Sequence, residues 1–113
     1  MNPKLKKALS FHQSGRLNEA EKIYLEILSG KPNDSDILQL LGTLYLQKKK
    51  FNLSKKYLQK SFAINPNNSA TLNNLGNLEK AIGNYSEADK YFQLNIDKNN
   101  FLNKIRNFLS MIF

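Results

Sequence analysis

Few side chains in this sequence could carry out catalysis or hold a metal. His12 is the only histidine and there is no cysteine, so thiol chemistry and Cys- or His-rich metal sites are excluded. The five glycines form no phosphate-binding loop. The carboxylates fall on what read as solvated helix faces, with no nucleophile placed beside a base; they include Glu19, Glu21, Glu26, Glu87 and Asp89. The sequence predicts no enzyme activity, no metal and no cofactor.

Lysines and amides are the abundant polar groups. Seventeen basic residues stand against nine acidic ones, a formal charge of +8, which is typical of proteins that bind nucleic acid or an acidic partner. Lys and Asn also share A/T-rich codons, so genome composition is a competing explanation. Six lysines between positions 48 and 60 form a predicted basic patch, namely Lys48, Lys49, Lys50, Lys55, Lys56 and Lys60.

The residues around this basic patch favour an anionic protein or surface over nucleic acid. There is no arginine among the six lysines, and the neighbouring aromatic residues Phe51 and Tyr57 follow the core pattern, so they would not stack on bases. Binding through the patch is the second functional hypothesis. Nucleic acid is disfavoured as the partner.

The length of 113 residues fits a single domain. No apolar run approaches the roughly 18 residues of a membrane span, and lysines interrupt the N-terminal segment where a signal peptide would be apolar. The lack of cysteine fits a reducing compartment. The sequence therefore predicts a cytoplasmic protein with no membrane span.

The elements that position these side chains follow an internal repeat of 34 residues. At that shift Gly42 falls on Gly76 and Pro32 on Pro66, while Asn100 takes the proline position in the third copy. Each unit shows two apolar stripes with helical spacing. A proline restricts the residue before it and ends a helix, so each unit is expected to be a pair of antiparallel helices.

Local signals place the second helix of each unit. Asn18, Asn52 and Ser86 stand one period apart, each just before a helical stretch, and are predicted N-caps. Lys49 stands at the turn where the other two units have glycine. That turn is expected to need a left-handed residue and to be strained by about 1 kcal/mol.

A 34-residue helix-turn-helix unit with Leu41-Gly42 and Leu75-Gly76 resembles the tetratricopeptide repeat. The resemblance implies an all-α, right-handed superhelical solenoid of antiparallel helix pairs with seven helices. Residues 1–113 would form one domain. It would comprise repeats 1–34, 35–68 and 69–102 and a C-terminal helix 103–113 that either caps the solenoid or starts a fourth repeat.

The first helix of each repeat is expected to line the concave surface. Amides there can donate to and accept from an extended peptide backbone. The sequence therefore predicts a non-catalytic protein-interaction scaffold whose partner is a protein or peptide. The groove candidates are Asn2, Leu5, Leu9, His12, Asp36, Gln39, Thr43, Leu46, Asn73, Asn74, Asn77 and Lys80.

The residues for two ligand modes known from similar families are largely missing at these positions. Some tetratricopeptide co-chaperones hold a C-terminal carboxylate with a clamp of lysines, asparagines and an arginine; the matching places here are Leu5, Leu9, Leu40, Ala70 and Asn74, so the clamp is absent. Asn74 also falls on the asparagine ladder of certain glycosyltransferase repeat arms, but only one rung is present. The arm of a larger protein is therefore an open interpretation.

The C-terminal segment carries an apolar stripe that its own repeat would cover only in part. Two explanations stay open. The chain is the N-terminal part of a longer protein, or the segment packs against a second copy and forms a homodimer. The predicted self-association residues are Phe108, Met111, Ile112 and Phe113.

Overall fold

The computed structural model describes residues 2–112. Within them the chain forms six α-helices and no strand, which confirms the all-α prediction and shows that the predicted number of seven helices is wrong. The helices are α1 (Pro3–Gln13), α2 (Leu17–Gly30), α3 (Ser35–Gln47), α4 (Phe51–Ile64), α5 (Ser69–Ala81) and α6 (Tyr85–Ile112).

The missing seventh helix is explained by the missing third proline. Pro32 and Pro66 hold the residues before them, Lys31 and Asn65, in extended conformations with φ near −139° and −135°. Asn100 imposes no such restriction, so α6 continues for 28 residues to Ile112. The predicted separate helix over 103–113 is therefore wrong: residues 103–112 continue α6, and Phe113 lies outside the described residues.

The six helices form three pairs, α1 with α2, α3 with α4 and α5 with α6, which stack in chain order through α2–α3 and α4–α5. Close approach within the middle pair depends on Gly42. A Cβ there would lie 2.5 Å from Leu58 Cγ, and Ser54 Oγ donates to the Gly42 carbonyl at 2.7 Å. Gly76 faces the Phe92 ring in the same way in the third pair. The packing is that of a repeat solenoid, and the unit boundaries 1–34, 35–68 and 69–102 stay predictions.

The turns inside the pairs follow one pattern. The amide three residues past the end of each first helix donates back to a carbonyl in its last turn, as in Lys50 N to Tyr45 O at 2.8 Å, which is the Schellman arrangement. The residue directly before this amide adopts a left-handed φ, which is +81° at Gly15, +60° at Lys49 and +88° at Gly83. Lys49 therefore occupies the conformation that the sequence predicted to be strained.

The N-cap prediction for the second helices is wrong for all three repeats. Asn18, Asn52 and Ser86 lie inside their helices, and the N-cap residues of α2 and α4, Arg16 and Lys50, make no side-chain capping bond. The first helices are the capped ones, because Asn2, Asp34 and Asn68 accept from amides of the first turn; the bond from Ala70 N to Asn68 Oδ1, for example, is 2.9 Å long. The Schellman turns replace caps at the second helices.

Candidate functional site

Eleven of the twelve predicted groove residues lie on the first helices α1, α3 and α5, and the twelfth, Asn2, is the N-cap of α1. We call this surface the A-helix face. All twelve side chains reach the surface: none is buried. Asn2, Asp36, Asn73, Asn77 and Lys80 are exposed, and the other seven are half-buried. The face therefore offers both polar groups and partly covered apolar groups to a ligand.

A polar network crosses the middle of the face. Thr43 Oγ1 donates to the Gln39 carbonyl at 2.9 Å and accepts from Gln39 Nε2 at 2.9 Å and from Asn74 Nδ2 at 2.6 Å. Because Asn74 lies on α5 and the other two on α3, these bonds join neighbouring repeats. The Asn74 amide nitrogen is thus committed to the fold.

Asn73 also has a structural partner. Asn95 of α6 donates from Nδ2 to Asn73 Oδ1 at 3.0 Å, and Asn95 is only 9% exposed. Its Oδ1 is buried without a hydrogen-bond partner in residues 2–112. An Asn73 substitution would deprive Asn95 of its remaining side-chain bond, so it is a poor probe of ligand binding.

Asn77 and Lys80 are the uncommitted polar groups on α5. Within residues 2–112 neither side chain makes a hydrogen bond or an ion pair, and both are exposed. The three-residue spacing places them on adjacent turns of one helix face. An amide and an ammonium side by side can accept and donate to a peptide backbone and attract a carboxylate.

The opposite end of the face is apolar. A cavity of about 320 Å³ opens between the start of α1 and the start of α3. The apolar side chains of Leu5, Ile27 and Ile37 line it together with Gly30 and four polar residues, Asn2, Lys4, Lys31 and Asp34. It can seat one apolar side chain of a ligand.

His12 lies in a contact between the first and second repeats. Its Nδ1 lies 2.8 Å from Tyr24 Oη, and its Nε2 lies 2.6 Å from Gln47 Oε1. A carbonyl oxygen only accepts, so Nε2 carries the proton and Nδ1 accepts from Tyr24. Burial raises the pKa of Tyr24 to about 12, which keeps this donor protonated. His12 therefore links α1, α2 and α3.

Sequence reasoning missed a charged cluster beside this contact. Glu21 accepts from Lys48 Nζ at 2.6 Å and from Tyr45 Oη at 3.0 Å. Burial alone would raise the pKa of Glu21, but these hydrogen bonds and the charges of Lys48 and Lys50 outweigh it and hold that pKa below the ordinary 4.5. Burial, and then the Glu21 carboxylate, raise the pKa of Tyr45. No single-repeat pattern signals this cluster, because its members come from α2 and α3 of different repeats.

The predicted basic patch is divided by such pairs. Lys48 bonds Glu21, and Lys55 lies 3.4 Å from Glu79, whose side chain is 4% exposed. These two lysines stabilise the fold. The remaining four have no acidic partner in the described part of the chain; they are Lys49, Lys50, Lys56 and Lys60.

The structure offers no metal or membrane element among the residues it describes. Within 2–112 no three His, Asp or Glu side chains are grouped to hold a metal ion. None of the six helices is both long and apolar enough to cross a membrane.

Stacked helix pairs with close glycine contacts and Schellman turns define an α-helical repeat solenoid. Two sequence models of the tetratricopeptide repeat match residues 35–68 and 57–90. The chain belongs to the tetratricopeptide-repeat family.

A sequence relative and two solved structures agree with this assignment. The anaphase-promoting complex subunit CDC16 of Saccharomyces cerevisiae is 30% identical over 104 residues, which cover 86% of this chain but 12% of that protein. The first TPR of Spaghetti (RPAP3), solved with an HSP90 peptide, has a TM-score of 0.79 at 19% identity and covers 95% of this chain and 90% of that one. The O-GlcNAc transferase of Thermobaculum terrenum has a TM-score of 0.81 at 24% identity and covers 84% and 18%. Both structures are similar in fold.

Proposed function

We propose that the A-helix face binds an extended polypeptide segment and that the chain acts as a non-catalytic interaction scaffold. The observation that carries the proposal is the exposed pair Asn77 and Lys80, which the fold leaves unbonded within residues 2–112 on a face otherwise tied into networks. Membership of the tetratricopeptide-repeat family supports it, and so does the peptide bound to the Spaghetti repeats.

The apolar end of the face defines the class of peptide. Leu5 and Leu9 stand at two of the carboxylate-clamp positions and are half-buried, and the cavity beside Leu5 is lined by Ile27 and Ile37. Leucines give a terminal carboxylate no hydrogen bond. The proposed ligand is therefore an internal segment with an apolar side chain for the cavity and a backbone that Asn77 can bond.

Selection from a library of random peptides tests this proposal. The peptides are displayed with both ends fused, so that they have no free carboxylate. We expect enrichment of a sequence that the double variant Asn77→Ala, Lys80→Ala binds about thirtyfold more weakly, because two hydrogen bonds of roughly 1 kcal/mol each are lost. Fluorescence anisotropy measures the affinity. Circular dichroism checks that helicity is unchanged.

The matched control carries the same residue types on the outer helix α4. Asn52→Ala with Lys56→Ala removes an exposed amide and an exposed ammonium away from the A-helix face, and its affinity should equal that of the wild type. If no peptide is enriched, or if both double variants bind the selected peptide equally, the A-helix face is not the binding site.

The same control tests the second candidate, an anionic partner on the basic patch. The observation in its favour is that Lys49, Lys50, Lys56 and Lys60 lack acidic partners among residues 2–112. This candidate predicts that the double variant with Lys56→Ala binds the selected peptide more weakly than the wild type. The double variant with Asn77→Ala should bind it as well as the wild type. It also predicts a steep fall of affinity with salt, which a peptide held by hydrogen bonds and apolar contacts would not show.

The cysteine content supports a proposal for the cellular compartment. The absence of cysteine suits the reducing cytoplasm, where we place the protein. The chain spans about an eighth of the CDC16 subunit it matches. A role as the repeat arm of a larger protein stays a prediction.

A further inference from the structure

The C-terminal part of α6 extends beyond the helix that it pairs with. With a rise of 1.5 Å per residue, the 28 residues of α6 span about 42 Å and the 13 of α5 about 20 Å. Every residue from 99 to 112 is exposed. We call residues 99–112 the α6 arm.

The arm is amphipathic, and its apolar side is largely exposed. Large apolar residues recur at spacings of three and four, which is the pattern of a helix that packs against another helix. They remain 40–63% exposed. These residues are Phe101, Leu102, Ile105, Phe108, Leu109 and Ile112. The opposite side is polar and consists of Asn99, Asn103, Arg106, Asn107 and Ser110.

We propose that the apolar side of the arm pairs with the arm of a second copy in an antiparallel two-helix interface. In the register that places Ile105 opposite Phe108 of the second copy, Phe101 lies opposite Ile112. The heptad spacing then places Leu102 opposite Leu109 on the flank of the seam. Each pair occurs twice, as a two-fold axis requires.

The charges favour the same arrangement. Only Lys104 and Arg106 are charged within 101–112. In this register Lys104 lies beside Met111 of the second copy, and Arg106 points to the polar side, so no two like charges meet. Antiparallel pairing also places the two bodies, each within a chain of charge +8, at opposite ends of the seam, which limits their repulsion.

A cavity at the base of the arm receives the tip of the second arm. It has a volume of about 300 Å³ and is lined by Asn67, Lys98, Phe101 and Leu102. In the antiparallel register Ile112 of the second copy reaches Phe101, at the edge of this cavity. The Lys98 ammonium is held by the Asn67 carbonyl and by Ser69 Oγ. Its methylenes therefore extend the apolar seam.

The size of the interface sets the expected strength. Overlap over 101–112 is about three helical turns, and burial of six large side chains per arm removes roughly 1,000 Å² from water in total. That area lies near the lower limit of specific interfaces. We expect a dimer with a dissociation constant of about 10–100 μM.

Sedimentation velocity of the full chain from about 5 to 500 μM tests the proposal, because mass action populates such a dimer within this range. We expect a monomer at the lowest concentration and a dimer at the highest. Ile105→Ala with Phe108→Ala keeps good helix formers in the arm and should raise the dissociation constant at least tenfold. The matched control, Asn103→Ala with Asn107→Ala, changes the polar side of the same turns and should dimerise like the wild type.

Crosslinking determines the direction of pairing. The sequence lacks cysteine, so Lys104→Cys and Met111→Cys each provide one thiol outside the central seam. When these two variants are mixed with a short bis-maleimide, antiparallel arms should give mainly the mixed 104–111 product. A wild type that stays monomeric at 500 μM overturns the second copy as the occupant and leaves the face to a different protein. Dimers equally weakened by both double variants, or crosslinks mainly between like positions, also overturn the proposed interface.

Discussion

The body of the solenoid, residues 2–95, and the α6 arm are both helical, yet they differ in what their apolar stripes touch. In the body, Leu38, Leu41 and Leu72 are fully buried. In the arm, Phe101 and Phe108 remain 63% and 61% exposed. The arm nevertheless carries large apolar residues at helical spacing.

The comparison shows that the residues that end a helix are different from the residues that determine what the helix packs against. The body is divided by prolines and left-handed turn residues such as Gly15 and Gly83, which bring successive stripes face to face. No proline or glycine occurs between Asn84 and Phe113. The arm therefore continues α6 without a turn, and its stripe stays exposed.

Truncating one leucine in each region tests this comparison most strongly. Leu41 is fully buried and Leu109 is 46% exposed. Leu41→Ala should lower the free energy of unfolding by about 2–5 kcal/mol, because it leaves a cavity. Leu109→Ala should change it by less than about 0.5 kcal/mol at concentrations where the arms are unpaired. Urea unfolding at low micromolar concentration measures both, and similar losses would show that the arm folds onto the body.

The repeat made most of the fold predictable. The alignment of Gly42 with Gly76, and the two prolines, were sufficient for the paired helices. The helix number was wrong because the C-terminal segment was divided by analogy with the earlier units. Asn100 stands in the proline position, and its local consequence is an uninterrupted helix.

The sequence predicts which surface carries the candidate site, but not which of its side chains are free to bind a ligand. Helical spacing puts Asn73, Asn74 and Asn77 near one face, but it does not tell which of them the fold uses. Asn74 bonds Thr43 across repeats, and Asn95 bonds Asn73. Such bonds depend on how repeats stack, and no pattern within one unit contains that information.

Acid should lower the stability of the body and leave the arm unaffected, because the half-buried ion pair of Glu21 and Lys48 lies in the body. The pKa of Glu21 is depressed on folding, so its stabilising contribution is present above the unfolded value of 4.5 and is lost as the pH falls through the folded pKa. Glu21→Gln should cost about 1–3 kcal/mol at pH 7. That difference from the wild type should shrink below pH 4.5.

The control for this measurement is Glu26→Gln. Glu26 is exposed, and its pair with Lys4 is 3.5 Å long with both side chains largely solvated, so its loss should cost less than about 0.5 kcal/mol. Unfolding free energies are compared between pH 3 and 7. If the loss of unfolding free energy caused by Glu21→Gln does not change with pH, the charge of Glu21 contributes nothing to the stability of the body.

The smallest expected effect concerns the turn of the middle pair. Lys49 has φ of +60° where the equivalent turns use glycine, so Lys49→Gly should stabilise the protein by about 0.5–1 kcal/mol. Lys50, with φ of −92°, is the matched control: glycine gains nothing there and should destabilise by a similar amount. Both variants remove one basic-patch charge, and the Lys50 charge also acts on Glu21. The two are therefore compared at high salt, which screens that charge, so that their difference reports the backbone. Equal effects at the two positions would show that turn geometry does not limit the body, and that the body and the arm differ only in what covers their apolar stripes.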